Sequence, residues 1–337
     1  MIVGFMRNNR KPFKMVRLLA KACAYYDIDL VYFHAKDIDL EKEIIHGKML
    51  INNKWITKEI SPPPFVDISP YCFKYEEEFQ FLKKNSLLSI TENIGSKEQV
   101  YNEINKDGAF ADLIIPTERG SDFDKFYNFL LRNGTIVIKP AKGVKGKNVF
   151  MLSGSGKVYT LSRQQTEDHI TKEELHHFFT KEIQDNDYLL QKYIHSRTIT
   201  GDPFDCRIRL EKGEQGKWKT VVYLIRVGTN QKVISNTSQG GSVSKLIPFL
   251  EANFPENKDN IEASIKEVAA KLPYKLEEIY NQDFGALGLD IGIDTDGKLY
   301  LFEVETGPGT EFGTGEIALI KPDYYNYILQ KINSNKE

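Results

Sequence analysis

The 337-residue chain carries 45 basic and 47 acidic residues, a formal net charge of -2, and is 41% hydrophobic. That balance argues against bulk attraction to nucleic acid, leaving only a local positive cleft open. There is no run of 18 apolar residues, and Arg7 follows a very short apolar start, so neither a transmembrane segment nor an ordinary secretory signal is expected. Cys23, Cys72 and Cys206 are an odd, widely spaced set, which points to a reducing, cytoplasmic setting rather than a disulfide scaffold. The adjacent His176 and His177 do not make a zinc spacing.

Residues 2–6 read as a buried strand, Val16 to Tyr26 has helical spacing, and Leu30 to Phe33 returns to strand character. This β-α-β order predicts a small α/β domain. Short apolar-polar segments around Asn52-Asn53 predict a hairpin before the extended Ser61-Pro62-Pro63-Pro64, and the first domain is expected to end near residue 91. Ser96 with Gln99, and Thr171 with Glu174, are capping boxes that open helices. Ser121 is a third candidate cap, ahead of Phe123, Phe126, Phe129 and Leu130. Thr135 to Lys139 reads as a strand, and Leu189 to Ile194 as a strand or an interlobe linker. Strands are expected at Cys206–Leu210, Thr220–Val227 and Lys232–Ser235. Helices follow over 259–282, interrupted at Pro273, and over Tyr324–Ile332.

The segments around Asp290 and around Glu303-Val304-Glu305 read as two strands joined by the turn Asp294-Thr295-Asp296-Gly297. Period-2 alternation puts Leu289, Ile291, Ile293, Tyr300, Phe302 and Val304 on the apolar face. Asp290, Glu303 and Glu305 then share the other face, where like charges repel unless cations neutralise them. Such hard oxygens suit magnesium shared with phosphate, while the plainer alternative is a strand edge facing water.

The loop from Lys139 through Gly143 and Gly146 to Lys147 joins two apolar strands through glycines and lysines. Backbone N–H groups can approach an anion there, and the alternative is a basic surface hairpin. It lacks the Walker A spacing. Lys97 is a second phosphate candidate, and Gln191 with Tyr193 offers polar and aromatic contacts for a base. Arg207 shares a strand face with Asp205. With Arg226 and the donor-rich stretch from Asn236 to Gly240-Gly241, it could bind a carboxylate or a transferring phosphate. Structural arginines and a surface turn are the alternative.

The order of these features resembles the ATP-grasp superfamily over roughly residues 92–330. Gly201-Asp202-Pro203-Phe204-Asp205-Cys206-Arg207, Arg226-Val227-Gly228 and Ser235 to Gly241 look closest to its spore-coat-associated group in endospore-forming bacteria. The resemblance implies an α/β and α+β chain in which a pre-ATP-grasp-like α/β lobe, residues 1–91, precedes a two-lobed ATP-grasp fold, residues 92–330. A nucleotide-covering lobe of about 92–193 and a metal and acceptor lobe of about 194–330 are implied. ATP would meet Lys97, Lys139, Gly143, Gly146, Gln191, Tyr193 and Ile194, and Mg2+ would meet Asp290, Glu303 and Glu305. Arg207, Arg226 and Asn236 would surround the reactive phosphate, and Arg207, Gly240 and Gly241 the acceptor. The implied activity is carboxylate–amine ligation through an acylphosphate, joining a carboxylate-bearing small molecule or peptide to an amine. The alternative is a noncatalytic ATP-binding or structural protein among spore-coat proteins. Glu305 departs from the asparagine that many relatives carry, adding negative charge at the metal.

Overall fold

The computed structural model describes residues 1–141, 148–163, 166–228 and 241–334. Its strands form three sheets, each drawn from one consecutive stretch of chain.

The first sheet contains β1 (Ile2–Met6), β2 (Asp29–Phe33), β3 (Ile38–Asp39), β4 (Ile44–Ile51), β5 (Lys54–Ile60), β6 (Phe65–Ile68) and β7 (Leu87–Leu88). The order is β3-β4-β2-β1-β6-β7, with β5 paired to β4. Strands β2, β1, β6 and β7 are parallel, as the β-α-β reading requires. Helix α1 (Lys14–Cys23) makes the first crossover and α2 (Glu76–Asn85) the last. The expected hairpin joins β4 to β5, and Asn52 and Asn53 both take the positive φ that a tight two-residue turn needs.

The second sheet contains β8 (Thr117–Arg119), β9 (Thr135–Pro140), β10 (Phe150–Ser155), β11 (Val158–Arg163), β12 (Thr166–Ile170) and β13 (Tyr188–Lys192), in the order β12-β11-β10-β9-β13-β8. Residues 188–192 are thus an interior strand rather than a linker. Helix α3 (Lys97–Asp107) and α5 (Lys172–Phe178) begin with the two expected capping boxes. Between them, α4 (Phe123–Asn133) is capped by Asp122, not Ser121: the Asp122 carboxylate accepts the Lys125 N–H at 2.8 Å. An anionic cap gains from the helix dipole as well as from the hydrogen bond. Phe126, Phe129 and Leu130 bury one face of this helix against the sheet.

The third sheet contains β14 (Phe204–Lys212), β15 (Trp218–Val227), β16 (Ser242–Lys245), β17 (Ala286–Ile293) and β18 (Leu299–Glu305), in the order β16-β15-β14-β17-β18. The strand expected at 232–235 lies outside the described residues. Helices α6 (Leu246–Asn253) and α7 (Lys258–Tyr280) pack on this sheet. The predicted break at Pro273 is absent: α7 runs through it, because Leu272, Pro273 and Leu276 are all buried. Packing of an apolar face outweighs the hydrogen bond that proline removes. The last helix, α8 (Thr314–Ser334), starts ten residues before the expected Tyr324 and joins α1 over the first sheet.

The β17–β18 hairpin forms, but its apolar face is corrected by a bulge. Asp290 opposes Glu303 whereas Ile291 opposes Leu301, so Phe302 is an extra residue on β18. Before the bulge, Leu299 and Leu301 enter the core in place of Tyr300 and Phe302. Phe302 turns over Gly292, where an added Cβ would come within 2.2 Å of the ring.

Candidate active site

Strand β14 is the middle of the third sheet, and its alternation sets Asp205, Arg207, Arg209 and Glu211 on one face. In one row across the sheet Arg207 opposes Asp290 and Asp290 opposes Glu303, and in the next row on that face Arg226 opposes Asp205. Opposite charges therefore face each other across β15–β14 and β14–β17, while two acids face each other across β17–β18. Arg226 donates to both Asp205 oxygens at 2.7 Å and reaches Asp290 at 2.8 Å. Arg207 bonds Asp290 through Nε and, at 2.9 Å, through Nη2. Its Nη1 donates to Glu305 at 2.8 Å.

The three acids gather as the hairpin pattern predicts, with one oxygen from each of Asp290, Glu303 and Glu305 lying within 4.8 Å of the others. Burial opposes ionisation of Asp290, but Arg226 and Arg207 outweigh it and hold this carboxyl below the usual range. Burial pushes Glu305 up, Arg207 opposes that, and the charges of Asp290 and Glu303 push it further up. Three hard oxygens with this spacing fit a magnesium ion shared with phosphate. The extra charge that glutamate brings at position 305 is met by Arg207.

Helix α3 brings Lys97 to 3.2 Å from Glu303. One turn on, Tyr101 donates to the backbone oxygens of Leu301 and Phe302 at 3.0 and 2.7 Å, tying α3 to β18. Lys139 of β9 donates to Gln191 Oε1 at 2.7 Å. The Gln191 amide in turn donates to Thr117 Oγ1 at 3.0 Å and to the Tyr101 hydroxyl at 3.4 Å. A hydrogen-bonded chain thus runs from Lys139 in the second sheet to the acid-bearing strand of the third. Burial, and then the charge of Lys97, lower the Lys139 pKa to about 7, with Glu303 pulling the other way. Two ammonium groups facing an acidic platform can hold a polyphosphate.

Gln191 is only 5% exposed, and its amide orients Lys139 as placed here. The Tyr193 hydroxyl accepts from Arg197 Nε at 2.6 Å. Ile194 is buried, and its carbonyl accepts from the Ser196 N–H at 2.8 Å. Gly241 is half-buried just before β16, while Gly143, Gly146, Asn236 and Gly240 lie outside the described residues. Sequence reasoning passed over Tyr101, Thr117, Arg209 and Glu211. Tyr101 had a signal, since it lies four residues from Lys97 on the same helix face. Arg209 and Glu211 extend the same two-residue period that linked Asp205 to Arg207.

A family model described as YheC/D like ATP-grasp matches residues 87–327. The chain is 24% identical over 309 residues to endospore coat-associated protein YheC of Bacillus subtilis (strain 168), covering 86% of this chain and 84% of that one. YheD of the same strain is 24% identical over 328 residues, covering 91% and 71%. Among structures, ATP-grasp ligase PsnB complexed with minimal precursor, Mg and ADP matches with a TM-score of 0.54 at 10% identity, over 99% of this chain and 98% of that one. D-cycloserine synthetase DcsG matches at 0.53 and 12% identity, over 98% and 100%. At these identities the structural likeness establishes the fold, a mixed α/β and α+β arrangement like that of ATP-grasp ligases. The family match spans most of the chain and includes every strand that carries the site: this protein belongs to the YheC/D-like ATP-grasp family.

Proposed function

We propose that the protein is an ATP- and magnesium-dependent ligase that joins a carboxylate to an amine. The observation that carries this reading is the meeting of Asp290, Glu303 and Glu305 with Lys97 and Lys139, which reach them from separate elements. Lys97 and Lys139 bind the ATP phosphates, and Gln191 and Thr117 orient Lys139. Asp290, Glu303 and Glu305 hold magnesium, which supplies charge neutralisation of the phosphates. Arg207 and Arg226, already fixed by Asp205 and Asp290, present guanidinium edges to the transferring phosphoryl group. In this reading Gly143, Gly146, Tyr193 and Ile194 complete the nucleotide site, Asn236 joins the arginines at the reactive phosphate, and Gly240 and Gly241 join Arg207 on the acceptor side.

In this reading a substrate carboxylate oxygen attacks the γ-phosphorus and ADP leaves, giving an acylphosphate. An amine then attacks the carbonyl carbon, phosphate leaves, and the amine loses a proton. Positioning and fixed charge carry the first step, so no side-chain nucleophile is needed. With its pKa lowered to about 7, Lys139 is only partly protonated near neutral pH, and a polyphosphate beside it would favour the charged form.

The names of YheC and YheD favour a second reading, a nucleotide-binding component of the spore coat without ligase turnover. The two readings separate by mass spectrometry of reactions containing Mg-ATP and a metabolite and peptide library. Ligation gives ADP, phosphate and one product heavier by the joined partner. Nucleotide binding without product or trapped acylphosphate overturns it in favour of the coat role.

A further inference from the structure

Sheets in stable proteins protect their edges by shortness, charge or cover, because an unpaired strand invites another chain. Most edges here are protected in one of these ways. β3 and β7 span two residues each, β8 three and β16 four. β12 carries Glu167 and Asp168 at its middle, and β18 is met on its outer side by Ile114 and by the Tyr101 hydroxyl. β5 differs. It runs for seven residues in an unbroken ladder with β4, from Ile45 opposite Ile60 to Ile51 opposite Lys54. Among the described residues no strand pairs with its other side.

Asn52 and Asn53 make a two-residue turn, so Ile51 and Lys54 exchange ladder bonds and every second pair after them does the same. The backbone N–H and C=O groups of Trp55, Thr57 and Glu59 therefore point outward along the free edge. Side chains alternate as well, and Lys54, Ile56 and Lys58 share one face, all exposed. The one acid of the hairpin, Glu59, lies on the opposite face across from His46. Helix α1 steadies the hairpin: Arg17 donates to the Asn53 carbonyl at 2.8 Å, and its guanidinium lies 5.8 Å from the centre of the Trp55 ring. That helix contains no acid, so the potential around the edge is positive.

We propose that β5 is a docking strand for an acidic segment of another polypeptide, which adds to the first sheet as a further edge strand. Main-chain bonds to Trp55, Thr57 and Glu59 hold the segment. Its side chains two residues apart read the row Lys54, Ile56, Lys58, which selects acid, apolar and acid at alternate positions. A second copy of this chain fits less well, since it would bring two lysine-bearing edges together. The assignment is independent of the ligase reading.

Fluorescence anisotropy of the full chain with two labelled peptides tests it. In one, glutamate, valine and glutamate alternate with threonine; in the other, lysine replaces glutamate. The glutamate peptide should bind and the lysine peptide should not. Thr57→Pro removes an outward N–H while sparing the ladder to β4, and should weaken binding by at least about tenfold. Lys58→Glu should weaken it similarly and admit the lysine peptide. Both variants should keep the Mg-AMPPNP affinity and unfolding midpoint of the parent. Equal binding of the two peptides, no binding of the glutamate peptide, or an unaffected Lys58→Glu or Thr57→Pro variant overturns the proposal. A dimer in sedimentation that Thr57→Pro dissociates would overturn it in favour of a second copy, and capture of phosphatidylserine vesicles in place of the peptide would do so in favour of a membrane surface.

Discussion

Two charged clusters share the face of β14 and differ in cover. The outer one sets four acids, Asp205, Asp290, Glu303 and Glu305, against Arg207, Arg226 and Lys97, and two of its acids remain partly exposed. The inner one sets Asp67 and Glu211 against Arg7, Arg209 and Lys321 and is almost closed to water. Partly exposed acids beside solvent suit a transient cation and phosphate. The contrast teaches that similar ion pairs serve different ends according to burial: removing an inner partner strands a charge, whereas removing an outer one leaves a charge that water can reach.

The contrast breaks most visibly at Asp67. Asp67→Asn leaves Arg7 and Lys321 with Glu211 as the remaining acid of the cluster, so a loss of about 3–5 kcal/mol is expected in urea unfolding. A loss below about 1 kcal/mol would mean the inner cluster is not the rigid one.

Glu303→Ala should do the reverse. Its pair with Lys97 is partly exposed, so stability should change by less than about 1 kcal/mol. Magnesium-dependent binding of AMPPNP should nonetheless fall by at least about tenfold, read by calorimetry with and without the metal. Retained magnesium dependence would remove Glu303 from the metal platform.

Lys139 sharpens the comparison through pH. Its pKa is about 7 when folded and ordinary when unfolded, so the unfolded chain binds more protons between those values. Stability attributable to Lys139 therefore rises with pH above 7 and is least below it. Bound polyphosphate raises that pKa again, so AMPPNP binding near pH 8 should take up a proton. Titrations in buffers of different ionisation enthalpy detect this, and Lys139→Met should abolish the uptake.

The smallest effect is expected at Glu305→Gln. Its ion pair with Arg207 is partly exposed on the glutamate side and Arg207 keeps Asp290, so stability should shift by less than about 1 kcal/mol. Unfolding midpoints read this. A larger loss would place Glu305 with the inner, structural charges.

Much of the outer site was legible because its signals are local. The Asp294–Gly297 turn and a period of two bring the acids together, and the Ser96–Gln99 capping box fixes where α3 starts and so where Lys97 stands. Errors arose where a neighbour overrode the local rule. The Phe302 bulge reversed the buried side of β18, Asp122 took the cap from Ser121, and packing carried α7 through Pro273. The inner cluster left no comparable trace, because Asp67 and Lys321 are 254 residues apart.

The sequence by itself determined the strands, caps and alternating charges of the third sheet, since those depend on residues a few positions apart. It also carried the family resemblance, because the order of the motifs survives in the chain. Only the tertiary structure decided that Lys139 reaches the acid strand through Gln191 and Tyr101, and that three cations converge on two buried acids beside a cavity. Those outcomes depend on which surfaces pack together and how much water they exclude, and burial is what sets the strength of a charge.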